Sequence, residues 1–492
     1  MRAGLSKSKI AAFEQCPKRL WLQKHRPDLV EFDDGAKARF AAGHLVGAAA
    51  CDLVPGGVMV DAEPDLASAE RRTRELLADP AVPAIFEATL SHDGVLVRID
   101  ILERDGDRSW RLAEVKSTTK QKPAHTGDVA TQVWVAAASG LELTSATIRH
   151  LDNGFVLERE GDYAGAFAET DLLEAAKSVV ATRPETVAAA RATLEGPEPA
   201  RTTGPHCLDP YECEFLAYCR GKEPPEPEWP VSVLPGGGGK RWLEAGISDL
   251  FQVDPDLLTS AIHARVHAAT VTGEPFHDRT EAARLMAGWD YPRTWLDFET
   301  IAFALPRWVG TRPYEPVPFQ FSAHVERREG EYEHVEFLSL DGHDPRRKCA
   351  EALVEGIPDS GAIIAYYASF ERARLMDLAN AFPDLAEPLQ AMADRLVDLL
   401  PVTRATWYHR DQRGSWSIKA VLPTVAPELG YAGLEVKDGG DAQAAYVEAI
   451  SEGADEKRIA AIAAALRTYC GRDTEAMITL ARHLVTGVSQ GG

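Results

Sequence analysis

VRIDILERDGDRSWRLAEVKST (97–118) contains two stretches of alternating apolar and polar residues, separated by an Asp-Gly pair. Alternation with a period of two predicts β-strands, and Asp-Gly between them predicts a tight hairpin turn. Asp100 lies on the first strand, while Glu114 and Lys116 lie two positions apart on the second and therefore project from one face. Two carboxylates and a lysine at one hairpin are suited to hold a divalent cation and to activate water.

The composition indicates a globular protein with more than one domain. The chain has 492 residues, and a single hydrophobic core stops growing at roughly 250–300 residues. Hydrophobic residues make up 45% and charged residues 26%, which excludes a disordered chain. No apolar run approaches the roughly 18 residues of a membrane helix, and the start of the chain lacks a signal-peptide core. We therefore expect a cytoplasmic protein with no membrane partner.

The organisation along the chain predicts two α/β domains. Strand patterns alternate with helical patterns over residues 1–220, which favours a mixed sheet with helices. GKEPPEPEWPVSVLPGGGGK (221–240) is dense in Pro, Glu and Gly and is typical of a linker. Residues 241–290 are predicted to form a helical bridging segment. A second α/β pattern fills residues 291–492.

The hairpin acids stand within a longer ordered series of motifs. His44 lies in GHLVG on a predicted helix, Asp100 in RIDIL, Glu114 and Lys116 in AEVKS, and Gln132 in the helical DVATQVWVA. This order resembles the PD-(D/E)XK nuclease superfamily in its RecB-like branch. The resemblance implies a restriction-endonuclease-like fold in which His44, Asp100 and Glu114 bind Mg²⁺ or Mn²⁺. It makes Lys116 catalytic and places Gln132 beside it. Without this order, such strand pairs are usually solvent-facing.

Four of the seven cysteines bracket this first domain. One precedes the hairpin and three follow it: Cys16, Cys207, Cys213 and Cys219. The segment LSKSKIAAFEQCPKRLWL (5–22) resembles the start of RecB-type nucleases that carry an iron–sulfur cluster, in which one cysteine comes before the nuclease core and three come after. The resemblance implies a 4Fe–4S cluster. A four-cysteine zinc site is the alternative.

A second set of acids occupies the C-terminal half. WLDFET (295–300) puts two acids on one face of a strand, and YCGRDT (469–474) puts a tyrosine and an acid on one face of a helix. Two further acids lie between them. The candidate residues are Asp297, Glu299, Glu371, Asp398, Tyr469 and Asp473. Acids that converge from strands and helices can hold two metal ions about 3.5–4 Å apart.

This second set resembles the DEDD exonucleases of the RNase H-like fold. Asp-x-Glu matches their first motif, and Tyr-x-x-x-Asp matches the tyrosine variant of their third. The resemblance implies that Tyr469 is catalytic and that the acids bind Mg²⁺ or Mn²⁺. The stretch with LPRWVGTRPYEPVPFQF (305–321) and GSWSIKAVLP (414–423) also resembles an uncharacterised bacterial domain found fused behind RecB-like nucleases. A purely structural RNase H-like fold is the alternative.

Four residues are candidates for contact with nucleic acid. Lys18 and Arg19 belong to a basic stretch near the start of the chain, and Trp308 and Tyr314 stand beside arginines. Aromatic rings can stack on unpaired bases. The alternative for the basic stretch is a solvated helix face. The net charge of −22 argues against indiscriminate polyanion binding and leaves room for a local basic groove.

Together these patterns predict a metal-dependent DNA nuclease. We expect exonucleolytic hydrolysis of single-stranded or frayed DNA, in repair, recombination or defence. An RNA-trimming nuclease is one alternative. A non-catalytic nucleic-acid-binding scaffold for a helicase partner is the other, since the chain has no phosphate-binding loop of its own.

Overall fold

The computed structural model describes residues 4–30 and 34–487. The chain forms two compact units, Met1–Pro224 with Phe303–Glu315, and Pro225–Ala302 with Pro316–Gly492. Both combine a mixed sheet with many helices, so the protein is of mixed α/β class. Within the described ranges, no helix is both long and apolar enough to cross a membrane.

The first unit begins with a short strand and two helices. Its elements are β1 (Leu5–Ser6), α1 (Lys7–Gln15), α2 (Pro17–His25), α3 (Asp34–Asp52), β2 (Val58–Met59), α4 (Leu66–Ala78), β3 (Ala84–His92), β4 (Val95–Arg104), β5 (Ser109–Lys116), α5 (His125–Ala138), β6 (Glu142–Leu151), β7 (Phe167–Asp171), α6 (Leu173–Glu195) and α7 (Leu216–Arg220). Ser6 starts α1 because its side chain accepts the Lys9 N–H.

The sheet of the first unit has the order β2-β3-β4-β5-β6-β7, and β1 pairs with the start of β4. β4 and β5 form the predicted antiparallel hairpin, and α5 is the crossover between the parallel strands β5 and β6. Apolar residues of α5 and α6 cover one face, including Val129 and Val187. Ala50 of α3 packs with Ala113 on the other face. β5 is therefore buried between helices on both sides.

The second unit is richer in helices. Its elements are α8 (Lys240–Glu244), α9 (Ala261–Thr272), β8 (Phe276–His277), α10 (Arg279–Met286), β9 (Arg293–Ile301), β10 (Val317–Arg328), β11 (Glu331–Leu338), α11 (Arg346–Gly356), β12 (Ile363–Ala365), α12 (Ser369–Ala381), α13 (Ala386–Asp394), β13 (Leu396–Asp398), α14 (Leu399–Thr406), β14 (Trp407–Tyr408), α15 (Ile418–Val425), α16 (Gly439–Ala449) and α17 (Glu456–Thr486).

The main sheet of this unit has the order β11-β10-β9-β12-β13, with β9 at its centre. Phe298 of β9 packs into a core with Leu353 of α11 and Leu375 of α12. Trp295 packs on the opposite side with Met477 of α17. Because side chains alternate along a strand, the even positions of β9 face α11 and α12, and the odd positions face α17.

The segment predicted as a linker is folded in part. Trp229, Val231, Val233 and Leu234 are buried and belong to the core of the second unit. These four apolar residues interrupt the Pro, Glu and Gly composition that suggested a linker over 221–240. The predicted bridging segment 241–290 packs into the same core through Trp242, α9 and α10.

The chain also returns to the first unit after β9. Ala304 packs with Val46 and Leu151 of that unit. Backbone hydrogen bonds join Leu157 to Gly310 and to Thr311. Residues 303–315 thus complete the first unit although they lie within the predicted second domain.

Gly361 precedes β12 at a place where only glycine fits. Its φ is +83°, and a Cβ there would lie 1.9 Å from the Pro292 carbonyl oxygen. We expect Gly361→Ala to cost the left-handed penalty of about 1–2 kcal/mol and an overpacking penalty of about 1–3 kcal/mol. Urea unfolding measures the loss. Gly330→Ala is the matched control, because Gly330 has φ +79° with nothing within 4 Å of its Cβ position. Equal losses in the two variants would contradict the close approach.

Candidate functional site

Asp100 and Glu114 meet where the β4–β5 ladder ends. Backbone pairing of the two strands stops at Ile101 and Ala113. Beyond that point, the Asp100 Oδ2 atom accepts the Val115 N–H at 2.7 Å. The Asp100 carboxylate replaces the next ladder bond and lies beside the strand position that carries Glu114.

Glu114 is the centre of a charged network. It is 2% exposed, and the Lys7 Nζ atom donates to its two oxygens at 2.5 and 2.6 Å. Lys116 Nζ donates to Glu114 at 2.8 Å and to Asp128 at 3.0 Å. Gln132 Nε2 donates to Glu114 at 2.8 Å. The predicted Lys116 and Gln132 therefore both contact Glu114 directly.

The two acids of this first site differ in protonation. Burial raises the pKa of Glu114, but Lys7 and Lys116 outweigh it and bring the pKa down to about 2. Burial, followed by the negative charge of Glu114, raises the pKa of Asp100 to about 7. Opposite shifts in neighbouring acids are typical of catalytic pairs, in which one stays ionised and the other can exchange a proton.

The other residues around this site divide into one predicted residue and two that the sequence analysis missed. His44 is exposed on α3, and in the described ranges it makes no hydrogen bond or ion pair with Asp100 or Glu114. Lys7 was missed, although it begins the helix capped by Ser6. His125 was also missed. It is 1% exposed and its Nε2 atom lacks a partner in the described structure. Burial lowers the His125 pKa to about 4, so the ring is a neutral donor or ligand.

A second site forms between β9 and α17. Asp297 and Glu299 occupy odd positions of β9 and so project toward α17, which supplies Asp473. Ligand oxygens from these three acids all lie within 4.8 Å of one another. Two oxygens that bind one Mg²⁺ or Ca²⁺ at about 2.0–2.6 Å cannot lie farther apart than about 5 Å. The three oxygens therefore fit around one hard divalent cation.

The electrostatics of the triad also favour a cation. Burial, followed by the charge of Asp473, raises the pKa of Glu299 to about 8. The pKa of Asp297 is raised well above its usual value by burial and by the neighbouring acids. Burial raises the pKa of Asp473 to about 6. Carboxylates this close together and shielded from water are stable only when protons or a cation neutralise their charge.

Tyr469 and its neighbours order Asp473. Lys419 Nζ donates to the Tyr469 hydroxyl at 3.0 Å, and Tyr469 hydrogen-bonds to Asp473. The hydroxyl of Tyr431 donates to Asp473 Oδ1 at 2.5 Å. Burial and the acids Asp473, Glu299 and Asp297 raise the pKa of Tyr469, so its phenol remains a proton donor. The sequence analysis found Tyr469 and missed Lys419 and Tyr431, which come from α15 and the loop after it.

Glu371 and Asp398 lie near one another beside the triad. Glu371 is 3% exposed, and its Oε2 atom has no hydrogen-bond partner among the described residues. Burial raises its pKa to about 8, and Asp398 adds to the rise. Asp398 caps α14, because its Oδ1 atom accepts the N–H groups of Leu400 and Tyr367 at 2.9 Å each. Asp398 was predicted as a metal ligand, but this oxygen is already used for capping.

The four predicted cysteines line one small cavity of the first unit. All seven cysteines of the chain are free. Cys207 and Cys213 pack with Leu22 and Phe215, and burial raises the pKa of Cys213 to about 11.

The 4Fe–4S cluster and the zinc ion both stay predictions for this cavity.

Lys18 and Arg19, predicted to contact nucleic acid, are each paired with an acid. Lys18 Nζ lies 3.2 Å from a Glu198 oxygen, and Arg19 lies 2.8 Å from Glu214. Both residues line the cysteine cavity. Both side chains therefore form part of the cavity wall and are held there by ion pairs.

The two aromatic candidates differ in exposure. Trp308 is 8% exposed and packs edge-on against Phe303, so its ring is not accessible to a base. The prediction overlooked that the segment packs into the first unit. Tyr314 is 37% exposed, and its hydroxyl donates to the carbonyl of Ser117, next to Lys116. Tyr314 alone of the pair keeps an open ring face.

Comparison with known proteins gives matches of limited extent. Residues 294–417 match a family described as a domain of unknown function, DUF2779. This range begins in β9 and ends before α15 and α17. The Uncharacterized protein MG366 homolog of Mycoplasma pneumoniae (strain ATCC 29342 / M129 / Subtype 1) is 26% identical over 207 residues, covering 38% of this chain and 31% of that protein. The chain thus spans about a third of that relative.

A solved structure, the "Crystal structure of SSO0001", is 14% identical and covers 46% of this chain and 89% of its own, with a TM-score of 0.23. A superposition at this score supports no conclusion about the fold.

The buried acids of the second unit predict an unusual dependence of stability on pH. The folded chain holds their protons up to pH 6–8, whereas the unfolded chain releases them near pH 4. Because the folded state binds more protons in this range, its free energy of unfolding must fall as pH rises. We expect the Tm of the metal-free protein to fall by several degrees between pH about 5 and about 8, and Mn²⁺ to restore it more at the higher pH.

Calorimetry at several pH values checks this expectation. Asp297→Asn with Glu299→Gln should flatten the decline, and Glu452→Gln, which removes an exposed acid of the same unit, should leave it unchanged. A wild-type Tm that is constant or rises over this range would contradict the buried, protonated carboxyls.

Proposed function

We propose that the protein is a metal-dependent DNA nuclease with two hydrolytic sites, one in each unit. The observation that carries this proposal is the convergence of Asp297, Glu299 and Asp473, whose oxygens lie within 4.8 Å of one another. Glu299 and Asp473 are buried and Asp297 is half-buried, so acids at this spacing destabilise the metal-free fold, and a divalent cation would remove that cost. We infer an RNase H-like exonuclease site for the second unit and a RecB-like PD-(D/E)XK site for the first.

In the second site, the chain's own residues orient the reacting groups. Mg²⁺ or Mn²⁺ bound to the acids would polarise the phosphate and lower the pKa of a bound water. Lys419 holds the Tyr469 hydroxyl, so that hydroxyl is fixed and can orient the attacking water or the scissile phosphate. Glu371, with its unpartnered oxygen, is placed to accept a proton or to join the metal ligands. The raised pKa of Glu371, about 8, suits a group that exchanges protons near neutral pH.

In the first site, Lys116 carries a positive charge beside the proposed metal ligand Glu114. It is held between Glu114 and Asp128, which fixes its position for stabilising the charge that develops on phosphate. Asp100 and Glu114 are the proposed metal ligands, with His44 as the third ligand that the resemblance implies. Lys7 occupies both Glu114 oxygens and would have to move when a cation binds.

We further propose that Cys16, Cys207, Cys213 and Cys219 hold a 4Fe–4S cluster with a structural role. The cysteines come from both ends of the first unit, so a shared cluster would link α1 and α2 to the segment before α7. Metal ligation that joins distant parts of a chain contributes directly to folding free energy. A four-cysteine zinc site is the alternative occupant.

Digestion of end-labelled DNA tests the nuclease proposal. The wild type is expected to degrade single-stranded DNA with Mg²⁺ or Mn²⁺ and to be inactive with EDTA. Lys116→Ala and Asp297→Ala should each abolish one activity, because general acid–base and metal groups contribute about 10²–10⁴-fold each. Parallel 5′- and 3′-labelled DNA and RNA identify the polarity and the polymer.

Matched variants control for loss of charge. Lys177→Ala removes an exposed lysine of the first unit, and Asp256→Ala removes an exposed acid of the second; both should retain full activity. Undiminished hydrolysis by the Lys116→Ala, Asp297→Ala double variant would refute the proposed sites. Binding without hydrolysis under either metal would leave a scaffold that recruits a helicase.

Anaerobic purification tests the cluster. We expect a coloured protein with iron and sulfide in equal amounts, and loss of the colour together with a lower Tm in Cys213→Ser. Cys349→Ser removes a buried cysteine of the second unit and should keep the colour. A colourless protein with stoichiometric zinc would reject the cluster.

A further inference from the structure

A wide groove of about 1010 Å³ lies in the second unit beside the acid triad. Its walls include Tyr366, Tyr367, Arg404, Arg413, Trp416 and Lys419, and we refer to it as the basic groove. Lys419 connects the groove to the triad, because its Nζ atom donates to Tyr469, which hydrogen-bonds to Asp473. A neighbouring cavity of about 500 Å³ continues the groove and shares Tyr367 and Arg404 with it.

The cations of this groove are not held in direct ion pairs. Arg404, Arg413 and Lys419, with Arg265 of the neighbouring cavity, form no ion pair within 4.0 Å across the described part of the chain. Carbonyl oxygens hold three of them instead. Arg265 donates to the Arg404 carbonyl at 2.7 Å, Arg413 donates to that of Glu228 at 2.8 Å, and Lys419 donates to that of Lys437 at 2.8 Å.

Carbonyls orient a cation but do not neutralise it. In a chain of net charge −22, four cations without a direct ion pair along one groove favour a local positive potential that attracts a polyanion. Asp398 is the acid of the neighbouring cavity, and one of its oxygens is already occupied by two backbone N–H groups.

Tyr367 is presented to this groove on an unusual backbone. It lies between β12 and α12 with φ +75°, a region that residues other than glycine seldom occupy. Its N–H donates to Asp398 at 2.9 Å, and its carbonyl accepts the Phe370 N–H at 3.1 Å. The backbone is thus fixed while the side chain is 61% exposed. A backbone conformation of this kind at a cleft is characteristic of functional positions.

Beside it, the Tyr366 hydroxyl donates to the Trp416 carbonyl at 2.6 Å, and Arg404 lies over the Trp416 ring at 5.7 Å. The groove therefore combines an exposed aromatic ring with cations along its walls. Aromatic rings can stack on bases only where the bases are unpaired.

We propose that the basic groove binds single-stranded nucleic acid and leads its end to the Asp297–Glu299–Asp473 site. Arg404 and Arg413 contact phosphates, a base stacks on Tyr367, and Lys419 meets the phosphate next to the triad. The inference rests on the proposed function for the chemistry at the triad, but the binding itself does not depend on hydrolysis.

Binding without metal tests the groove separately from catalysis. In EDTA, we measure the anisotropy of a fluorescein-labelled 20-nucleotide oligothymidine with the full-length protein. Tyr367→Ala should weaken binding about tenfold, and Tyr367→Phe, which keeps the ring, should bind like the wild type. The Arg404→Ala, Arg413→Ala variant should bind more weakly and reduce the slope of log affinity against log salt by about 1.4.

The matched control is Arg327→Ala with Arg328→Ala, which removes two exposed arginines of β10 outside the groove and should change neither quantity. Equal thermal unfolding of all variants establishes that they fold. Photo-crosslinking of oligothymidine that carries 5-iododeoxyuridine should label the peptide that contains Tyr367, which distinguishes this groove from binding in the first unit.

Unchanged affinity and salt slope in the groove variants, with crosslinks confined to other peptides, would overturn the proposal. Equally tight groove binding of a blunt duplex of the same length would overturn single-strand selectivity. Groove-dependent binding in a protein that hydrolyses nothing would support the groove and reject the nuclease assignment. Unchanged hydrolysis together with unchanged affinity in the groove variants would support the nuclease assignment and reject the groove.

Discussion

Burial of like charges on β9 is the constraint on which the second unit depends. The central strand of a covered sheet must present apolar side chains to both layers, yet Asp297 and Glu299 occupy one of its two faces. Phe298 and Trp295 keep the strand in the core on either side. The helix α17 brings a third carboxylate and the Tyr469 hydroxyl to the same place. This arrangement costs folding free energy unless protons, or the cation of the proposed site, neutralise the acids.

The first unit balances the charge of its buried acid in a different way. Glu114 is as deeply buried as Glu299, but Lys7, Lys116 and Gln132 surround it with donors. Its pKa therefore falls to about 2, whereas that of Glu299 rises to about 8. The metal-free first site is held by protein cations, and the metal-free second site by protons. A cation that binds the first site would displace a lysine, and one that binds the second site would displace protons. The metal affinities of the two sites should therefore depend on pH in different ways.

Local patterns predicted the elements well, because the residues that decide them are neighbours in sequence. The Asp-Gly hairpin, the α5 helix over His125–Ala138 and the pairing of Tyr469 with Asp473 on one helical face all depend on short-range geometry. Lys7 and Lys419 could not be found in this way, since each reaches its site across long sequence separations. Trp229 and Val231 of the 221–240 segment are buried. The composition of the segment did not predict this, because Pro, Glu and Gly dominate it.

The segment 303–315 shows a further limit of assigning domains from sequence order. It follows directly on the strand of the DUF2779 match that carries Asp297 and Glu299, yet Ala304 and Leu305 complete an apolar cluster of the first unit with Val115. Val115 stands between Glu114 and Lys116, so the packing of this segment bears on the strand that carries the first site. A fragment cut at the end of residue 224 would lack this cover and expose the apolar face it protects. Residues 303–315 are thus part of the first unit, and a division of the chain at the Pro- and Gly-rich segment would remove residues that pack against the strand of the first site.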